Sequence, residues 1–154
     1  MTEITKEIVV NKLSSLEETL EKLKKYQALS KNEYFADERN ELSVERLFQT
    51  GLETVVDIAR YLIIENKLQK PGEKNSEFEI LANSGILSEE LAVKLTKAKS
   101  FRNVLVHDYL DVDPEIVYEN LQNNLGDLEQ FVQIISKVVA TNTDHGTEQG
   151  CSVP

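Results

Sequence analysis

The chain has 154 residues, close to the length of one domain of about 150 residues, and a single cysteine, Cys151, which excludes a disulfide framework and a thiolate zinc cluster. Lysine and arginine number 17 against 27 acidic residues, and the net charge of −10 excludes a protein that coats nucleic acid with a broadly basic surface. Apolar runs are far shorter than the roughly 20 residues of a membrane span, and the N-terminus lacks a signal peptide's apolar segment, so we expect a cytoplasmic protein without membrane contact.

Apolar residues recur at helical spacing through the first half of the chain. The stripe over residues 9–23 alternates steps of four and three and predicts a long first helix. Ser30 and Glu33 have the spacing of a capping box, which predicts a short helix around residues 33–36. The wider stripe over residues 44–63 predicts a central helix that is largely buried.

Two further helices are predicted in the middle of the chain. Ser76 and Glu79 form a second capping-box pattern, which predicts a short helix that Gly85 ends through a left-handed C-cap. Ser88 is the predicted N-cap of the next helix, whose apolar positions lie within residues 91–105.

The last predicted helix begins at Asp113, an N-cap, with Pro114 at its first position. Its buried stripe covers residues 117–139, and we expect residues 1–140 to form one helical domain. The polar stretch 141–154 has no periodicity and is expected to be a disordered tail. Because no strand signal occurs and the connections are short, the sequence predicts an all-α fold, an antiparallel up-and-down bundle of roughly four to five main helices plus short ones.

The sequence lacks the residue patterns of a metal site, a phosphate-binding loop and a serine hydrolase. The sequence has no cysteine and histidine cluster with metal-ligand spacing, no glycine-rich phosphate loop and no Gly-x-Ser-x-Gly motif. His145 falls in the predicted tail, which leaves His107 as the one histidine in a predicted element. A single helical histidine is most often a residue without a special role, and only its neighbours give His107 another interpretation.

Arg102 and Asn103 precede His107 on the same predicted helix. At about 100° per residue, Arg102 and His107 lie roughly 140° apart with Asn103 between them, and we place all three on a flank outside the core stripe. A guanidinium matches phosphate oxygens and an imidazole moves protons near neutral pH. The pair suits metal-free cleavage of a phosphodiester, and a two-fold dimer would supply both the base and the acid that the reaction needs.

Together with Tyr109, these residues form an R-x4-H-x-Y motif, written FRNVLVHDY and followed by the Asp-Pro helix start. This segment resembles the HEPN superfamily and specifically its HepT-like branch. The resemblance extends over residues 4–139, because the helix order also fits and VVDIARYLI, which includes Asp57, resembles the second long helix of that family.

The resemblance implies a ribonuclease toxin of a toxin–antitoxin pair that acts on RNA as a homodimer, without a metal or another cofactor. It implies that Arg102 and His107 are catalytic and that Asn103 supports the phosphate site. It also implies that the antitoxin, a minimal nucleotidyltransferase, transfers AMP to Tyr109. The added phosphate would fill the cleft and repel RNA.

The role of Asp57 stays open between two interpretations. It lies with Arg46, Glu53 and Arg60 on one polar stripe. One interpretation is a supporting role at the phosphate site, and the other is a row of ion pairs that faces solvent or the edge of a dimer.

Charge is unevenly distributed around the motif. Residues 91–107 contain lysines and an arginine but no acid, whereas residues 108–136 contain seven acids and no lysine or arginine. A local RNA-binding cleft and ordinary solvated helix faces both fit this pattern. The sequence is also compatible with a second function, a noncatalytic helical module that holds a nucleotide or a partner protein in the same cleft.

Overall fold

The computed structural model describes residues 1–72, 75–107 and 112–152, with side chains as far as Thr141. Within these ranges the chain forms seven helices and no strand. They are α1 (Glu3–Gln27), α2 (Lys31–Ala36), α3 (Glu38–Glu65), α4 (Glu77–Asn83), α5 (Glu89–Val106), α6 (Pro114–Asn123) and α7 (Leu125–Ser152). The prediction of an all-helical fold is confirmed.

The predicted helix caps are present. Ser30 and Glu33 form a complete capping box at the start of α2, in which each side chain accepts from the other residue's backbone N–H at 3.1 Å. Ser76 accepts from the N–H of Glu79 at the start of α4, and Gly85 follows the end of α4 with a left-handed φ of 86°. An N-cap of this kind contributes about 1 kcal/mol, so local chemistry fixes where these helices begin.

The helices α1 and α3 lie antiparallel at the centre of the bundle. The amino group of Met1, just before α1, lies 3.7 Å from the carboxylate of Glu65 at the end of α3. Helix α5 packs on α3 and α4, and α7 packs on α1. Phe101 of α5 meets Phe48 of α3 edge to face, with ring centroids 5.5 Å apart. This contact holds the C-terminal part of α5, where the motif begins, against the core.

The single last helix predicted from residue 114 onward is wrong, because Asn124 divides it into α6 and α7. The backbone of Asn124 leaves the helical region at φ −116°, ψ 2°, and its side-chain amide donates to Oδ1 of Asn120 at 2.7 Å. Asparagine favours such breaks because its side chain offers hydrogen bonds that compete with those of the helix. Val117 and Leu121 before the break and Leu125 after it are all buried, so the predicted stripe still faces the core.

The C-terminal part of the chain is described by its backbone alone after Thr141. Helix α7 continues to Ser152. The domain boundary at residue 140 and the tail over residues 141–154 stay predictions. No helix in the described ranges is both long and apolar enough to cross a membrane.

Candidate active site

Arg102 lies on the buried side of α5. It follows Leu95 by seven residues and Leu91 by eleven, and both spacings return to within about 20° of the same side of a helix. Leu91 and Leu95 are each 1% exposed. The position predicted for Arg102, on a flank outside the core stripe, is therefore wrong. The arginine extends the core stripe toward the C-terminal end of α5.

The guanidinium of Arg102 is not neutralised by the residues that the structure describes. Its Nε atom is buried and has no hydrogen-bond partner among them, while the side chain as a whole is half-buried. A buried donor without an acceptor costs about 1–3 kcal/mol, and an arginine keeps its charge at any ordinary pH. An anion with several oxygen acceptors, such as a phosphate, would remove this cost.

His107 does not continue α5 and is its C-cap residue instead. The helix ends at Val106, and the backbone of His107 is extended at φ −85°, ψ 94°. The predicted angle of roughly 140° between Arg102 and His107 assumed one continuous helix, so it does not apply. The imidazole is exposed at the end of α5.

Of the other two motif residues, the structure describes Asn103 but not Tyr109. Asn103 is exposed on α5 next to Arg102, about 100° farther around the axis. Tyr109, the predicted AMP acceptor, lies outside the described residues. The structure thus brings Arg102, Asn103 and His107 to the same end of α5.

Asp57 lies in the middle of α3 and faces α1. Its carboxylate forms an ion pair with Nζ of Lys12 at 3.4 Å, and its side chain is 48% exposed. Arg60, from the same predicted polar stripe, pairs with Glu77 of α4. Each of these two residues thus pairs with another helix. The supporting role of Asp57 at the phosphate site stays a prediction.

The basic side chains of α5 are partly neutralised. Nζ of Lys94 lies 3.4 Å from Glu90 and 3.8 Å from Asp127, and Lys99 pairs with Glu77. Within the described part of the chain, no ion pair is formed by Lys97 or Arg102. The positive charge available to an anionic ligand is therefore concentrated on these two residues, five positions apart on α5.

Comparison with known proteins assigns the chain to one family. The ribonuclease HepT-like family matches residues 16–135. The chain belongs to this family. An mRNA nuclease HepT of Shewanella oneidensis is 26% identical over 84% of this chain and 96% of the relative. A tRNA nuclease HepT of Aphanizomenon flos-aquae is 31% identical over 92% of this chain and 96% of the relative.

Solved structures of HepT-like proteins have the same arrangement of helices. The tri-AMPylated HEPN toxin of Shewanella oneidensis, solved in complex with its MNT antitoxin, superposes with a TM-score of 0.77 at 26% identity. The superposition covers 89% of this chain and 99% of the toxin. The resemblance inferred from the motif is confirmed.

In this HepT-like chain, a buried carboxylate that sequence reasoning missed holds α5 in place. Glu77, the first residue of α4, is 1% exposed and accepts from Nζ of Lys99 at 2.7 Å and from Nε of Arg60 at 3.3 Å. Burial raises the pKa of the Glu77 carboxyl, but the hydrogen bond from Lys99, a hydrogen bond from its own backbone N–H, the charge of Lys99 and the hydrogen bond from Arg60 together lower it more. The pKa therefore lies below its ordinary value. An acid in the first turn of a helix is common, so no sequence pattern marks Glu77 as buried.

Glu77→Ala is expected to lower the free energy of unfolding by about 2–3 kcal/mol, because it leaves Lys99 and Arg60 without their shared partner. The value stays below that of a fully buried pair, since the Lys99 and Arg60 side chains are 24% and 53% exposed. Urea denaturation at neutral pH measures it. Glu18→Ala, at an exposed position of α1, is the matched control and should change stability by less than about 0.5 kcal/mol.

The same carboxylate gives a pH dependence with a definite sign. Because the pKa of Glu77 is lowered in the folded state, its contribution is complete above the unfolded pKa of about 4.3 and is lost as the pH falls through the folded pKa. Wild type should therefore lose more stability than Glu77→Gln between neutral pH and pH 3. Parallel stability curves for the two proteins would contradict this role of Glu77.

Proposed function

We propose that this chain is an RNA endonuclease and the toxin of a toxin–antitoxin pair. The observation that carries the proposal is the half-buried cation of Arg102, whose Nε has no partner among the described residues, on the helix that His107 caps. Two relatives, each matched over 96% of its length, are named as nucleases of mRNA and tRNA, which supports RNA as the substrate class.

The other unpartnered polar atom of the described core shows why the surroundings of Arg102 matter. The hydroxyl of Tyr34 also lacks a partner there, but Tyr34 is 0% exposed and packs against the rings of Phe35 and Tyr118. Burial first, and then neighbouring negative charges, raise the pKa of Tyr34 to about 12. Tyr34 is a neutral core residue that no ligand reaches, whereas Arg102 is charged and half-buried.

In the proposed reaction, His107 takes the proton of a ribose 2′-hydroxyl, and the 2′-oxygen attacks the adjacent phosphorus. The O2′–P bond forms and the P–O5′ bond breaks, which leaves a 2′,3′-cyclic phosphate and a 5′-hydroxyl. Arg102 holds the negative charge that develops on the nonbridging oxygens, and Asn103 supports the same phosphate. The electron pair of the broken P–O5′ bond leaves with the 5′-oxygen.

The leaving 5′-oxygen must also receive a proton, and this requirement favours a homodimer. The chain has two histidines, His107 and His145, and only His107 belongs to the motif. A second protomer related by a two-fold axis supplies a second imidazole, so that one histidine acts as base and the other as acid. We therefore propose one composite cleft in each dimer.

We further propose that a minimal nucleotidyltransferase is the antitoxin of this chain and transfers AMP to Tyr109. The support is the structural relative from Shewanella oneidensis, a HEPN toxin that is tri-AMPylated and solved with an MNT antitoxin. Tyr109 is two residues after His107. In this proposal, the phosphate attached to Tyr109 competes with RNA for the guanidinium of Arg102.

Measurements of cell growth with and without the antitoxin test this proposal. Induction of the wild-type chain should stop growth. Co-expression of its cognate minimal nucleotidyltransferase should restore growth and add AMP, as seen by mass spectrometry. Tyr109→Phe should remain toxic in the presence of the antitoxin, whereas the control Tyr61→Phe should be rescued like wild type. Full rescue and AMP addition in Tyr109→Phe would contradict the assignment of Tyr109.

A further inference from the structure

A cavity lies beside the motif, between α3, α5 and the junction of α6 with α7. Its volume is about 260 Å³, and its floor is apolar while its rim carries amides and charges. Phe101, the residue before Arg102, is part of the floor, and Lys97, Asn123 and Asp127 are part of the rim. Because Phe101 directly precedes Arg102 on α5, the cavity and the proposed phosphate site lie on neighbouring sides of this helix, about 100° apart around its axis.

The floor of this cavity offers an aromatic ring. Phe101 is half-buried, and its ring stands at 79° to the ring of Phe48 behind it. Because Phe48 contacts Phe101 edge to face rather than by stacking, it does not cover both faces of the Phe101 ring. A nucleobase stacked on an aromatic side chain contributes about 1–3 kcal/mol to single-strand binding, irrespective of the base.

Polar side chains on the rim of the cavity can form hydrogen bonds to a ligand. The side-chain amides of Asn120 and Asn124 donate to Ile116 and Asn120, respectively, but the Asn123 side chain forms no hydrogen bond with the described residues. Among the described residues, the half-buried carboxylate of Asp127 has a single ion-pair contact, at 3.8 Å to Nζ of Lys94. An amide and a carboxylate together can read the donors and acceptors on the edge of an unpaired base.

The rim also contains a cation with the reach to hold a phosphate. Lys97 is exposed and forms no ion pair within the described ranges, in contrast to Lys94 and Lys99 on the same helix. It lies five residues before Arg102, on the same helix. At about 100° per residue, Lys97 and Arg102 lie roughly 140° apart around α5 with Phe101 between them. A single strand that crosses the helix can therefore place a base on Phe101 and phosphates on the two cations.

We propose that this cavity binds one nucleotide of the RNA substrate, next to the phosphate that Arg102 clamps. The base lies on Phe101, its edge meets Asn123 and Asp127, and its phosphate contacts Lys97. The inference rests on the proposed ribonuclease function, since it places the nucleotide beside the scissile phosphate. It gives the enzyme a preferred register on single-stranded RNA, although the net charge of the chain is −10.

Binding of a 2′-O-methyl RNA oligonucleotide tests the cavity separately from cleavage, because the blocked 2′-oxygen cannot attack. At fixed salt, fluorescence anisotropy should show binding that is about 5- to 10-fold weaker for Lys97→Ala and for Asn123→Ala. Lys137→Ala, which removes an equally exposed lysine on α7, is the matched control and should change the Kd by less than about twofold. Both positions in the cavity are exposed, and circular dichroism verifies that the variants are folded.

The possible results distinguish failure of the proposed nucleotide subsite from failure of the proposed ribonuclease activity. Weakened binding in the two cavity variants but not in Lys137→Ala supports the subsite. If the protein shows this pattern of binding but does not cut unmodified RNA, the ribonuclease proposal alone fails. Equal binding by all proteins overturns the subsite, while cleavage of unmodified RNA would leave the ribonuclease intact. Free AMP is the second arm: if Lys97→Ala weakens AMP binding but leaves oligonucleotide binding unchanged, the cavity is a mononucleotide site and the proposal is overturned.

Discussion

Arg102→Leu is expected to abolish RNA cleavage and at the same time to stabilise the fold. Leucine suits a position on the same stripe as Leu91 and Leu95, and the substitution removes a buried Nε that has no partner among the described residues. We expect the free energy of unfolding to rise by about 1–2 kcal/mol, as measured by urea denaturation. Cleavage should fall by at least about 100-fold, since the charge that stabilises the transition state is lost.

Two controls distinguish the effects of the charge and the planar shape of the guanidinium from the stability gained by adding leucine. Arg102→Lys keeps the charge but loses the planar fork, so cleavage should remain strongly reduced. Lys137→Leu places leucine at an exposed position and should not raise stability by more than about 0.5 kcal/mol. If Arg102→Leu lowered stability by more than about 1 kcal/mol, the guanidinium would have a structural partner, and its assignment as an anion site would be wrong.

His107→Ala is expected to reduce cleavage by about 10²- to 10⁴-fold, the usual effect of removing a general acid–base group. His107 is exposed at the end of α5, and circular dichroism verifies that the variant is folded. His145→Ala is the matched control, because it removes the only other histidine of the chain. Equal loss in both variants, or retained cleavage in His107→Ala, would show that the His107 imidazole does not carry the proton.

The helices of this protein could be predicted from its sequence because their signals are local. A cap such as Ser30 with Glu33 depends on residues three positions apart, and an apolar stripe depends on steps of three and four. These signals found the starts of α2, α4 and α5 and the buried face of α7. They missed the break at Asn124, because the apolar stripe continues in phase on both sides of it.

The chemistry of the site depends on contacts that sequence spacing does not determine. Arg102 shares the phase of Leu91 and Leu95, but its charge led to its placement on a polar flank. The partners of Glu77 lie 17 and 22 residues away along the chain, on different helices. The cavity beside Phe101 likewise combines residues of α3, α5, α6 and α7, so it exists only after the helices have packed.

The central claim is that Arg102 and His107 cleave RNA by attack of its 2′-hydroxyl without a metal ion. The most direct measurement is the chemistry of the ends that the purified protein produces from single-stranded RNA in the presence of excess EDTA. The predicted result is cleavage to 2′,3′-cyclic phosphate and 5′-hydroxyl ends, which is lost in both Arg102→Leu and His107→Ala. Products with 3′-hydroxyl and 5′-phosphate ends, or cleavage that EDTA abolishes, would contradict it.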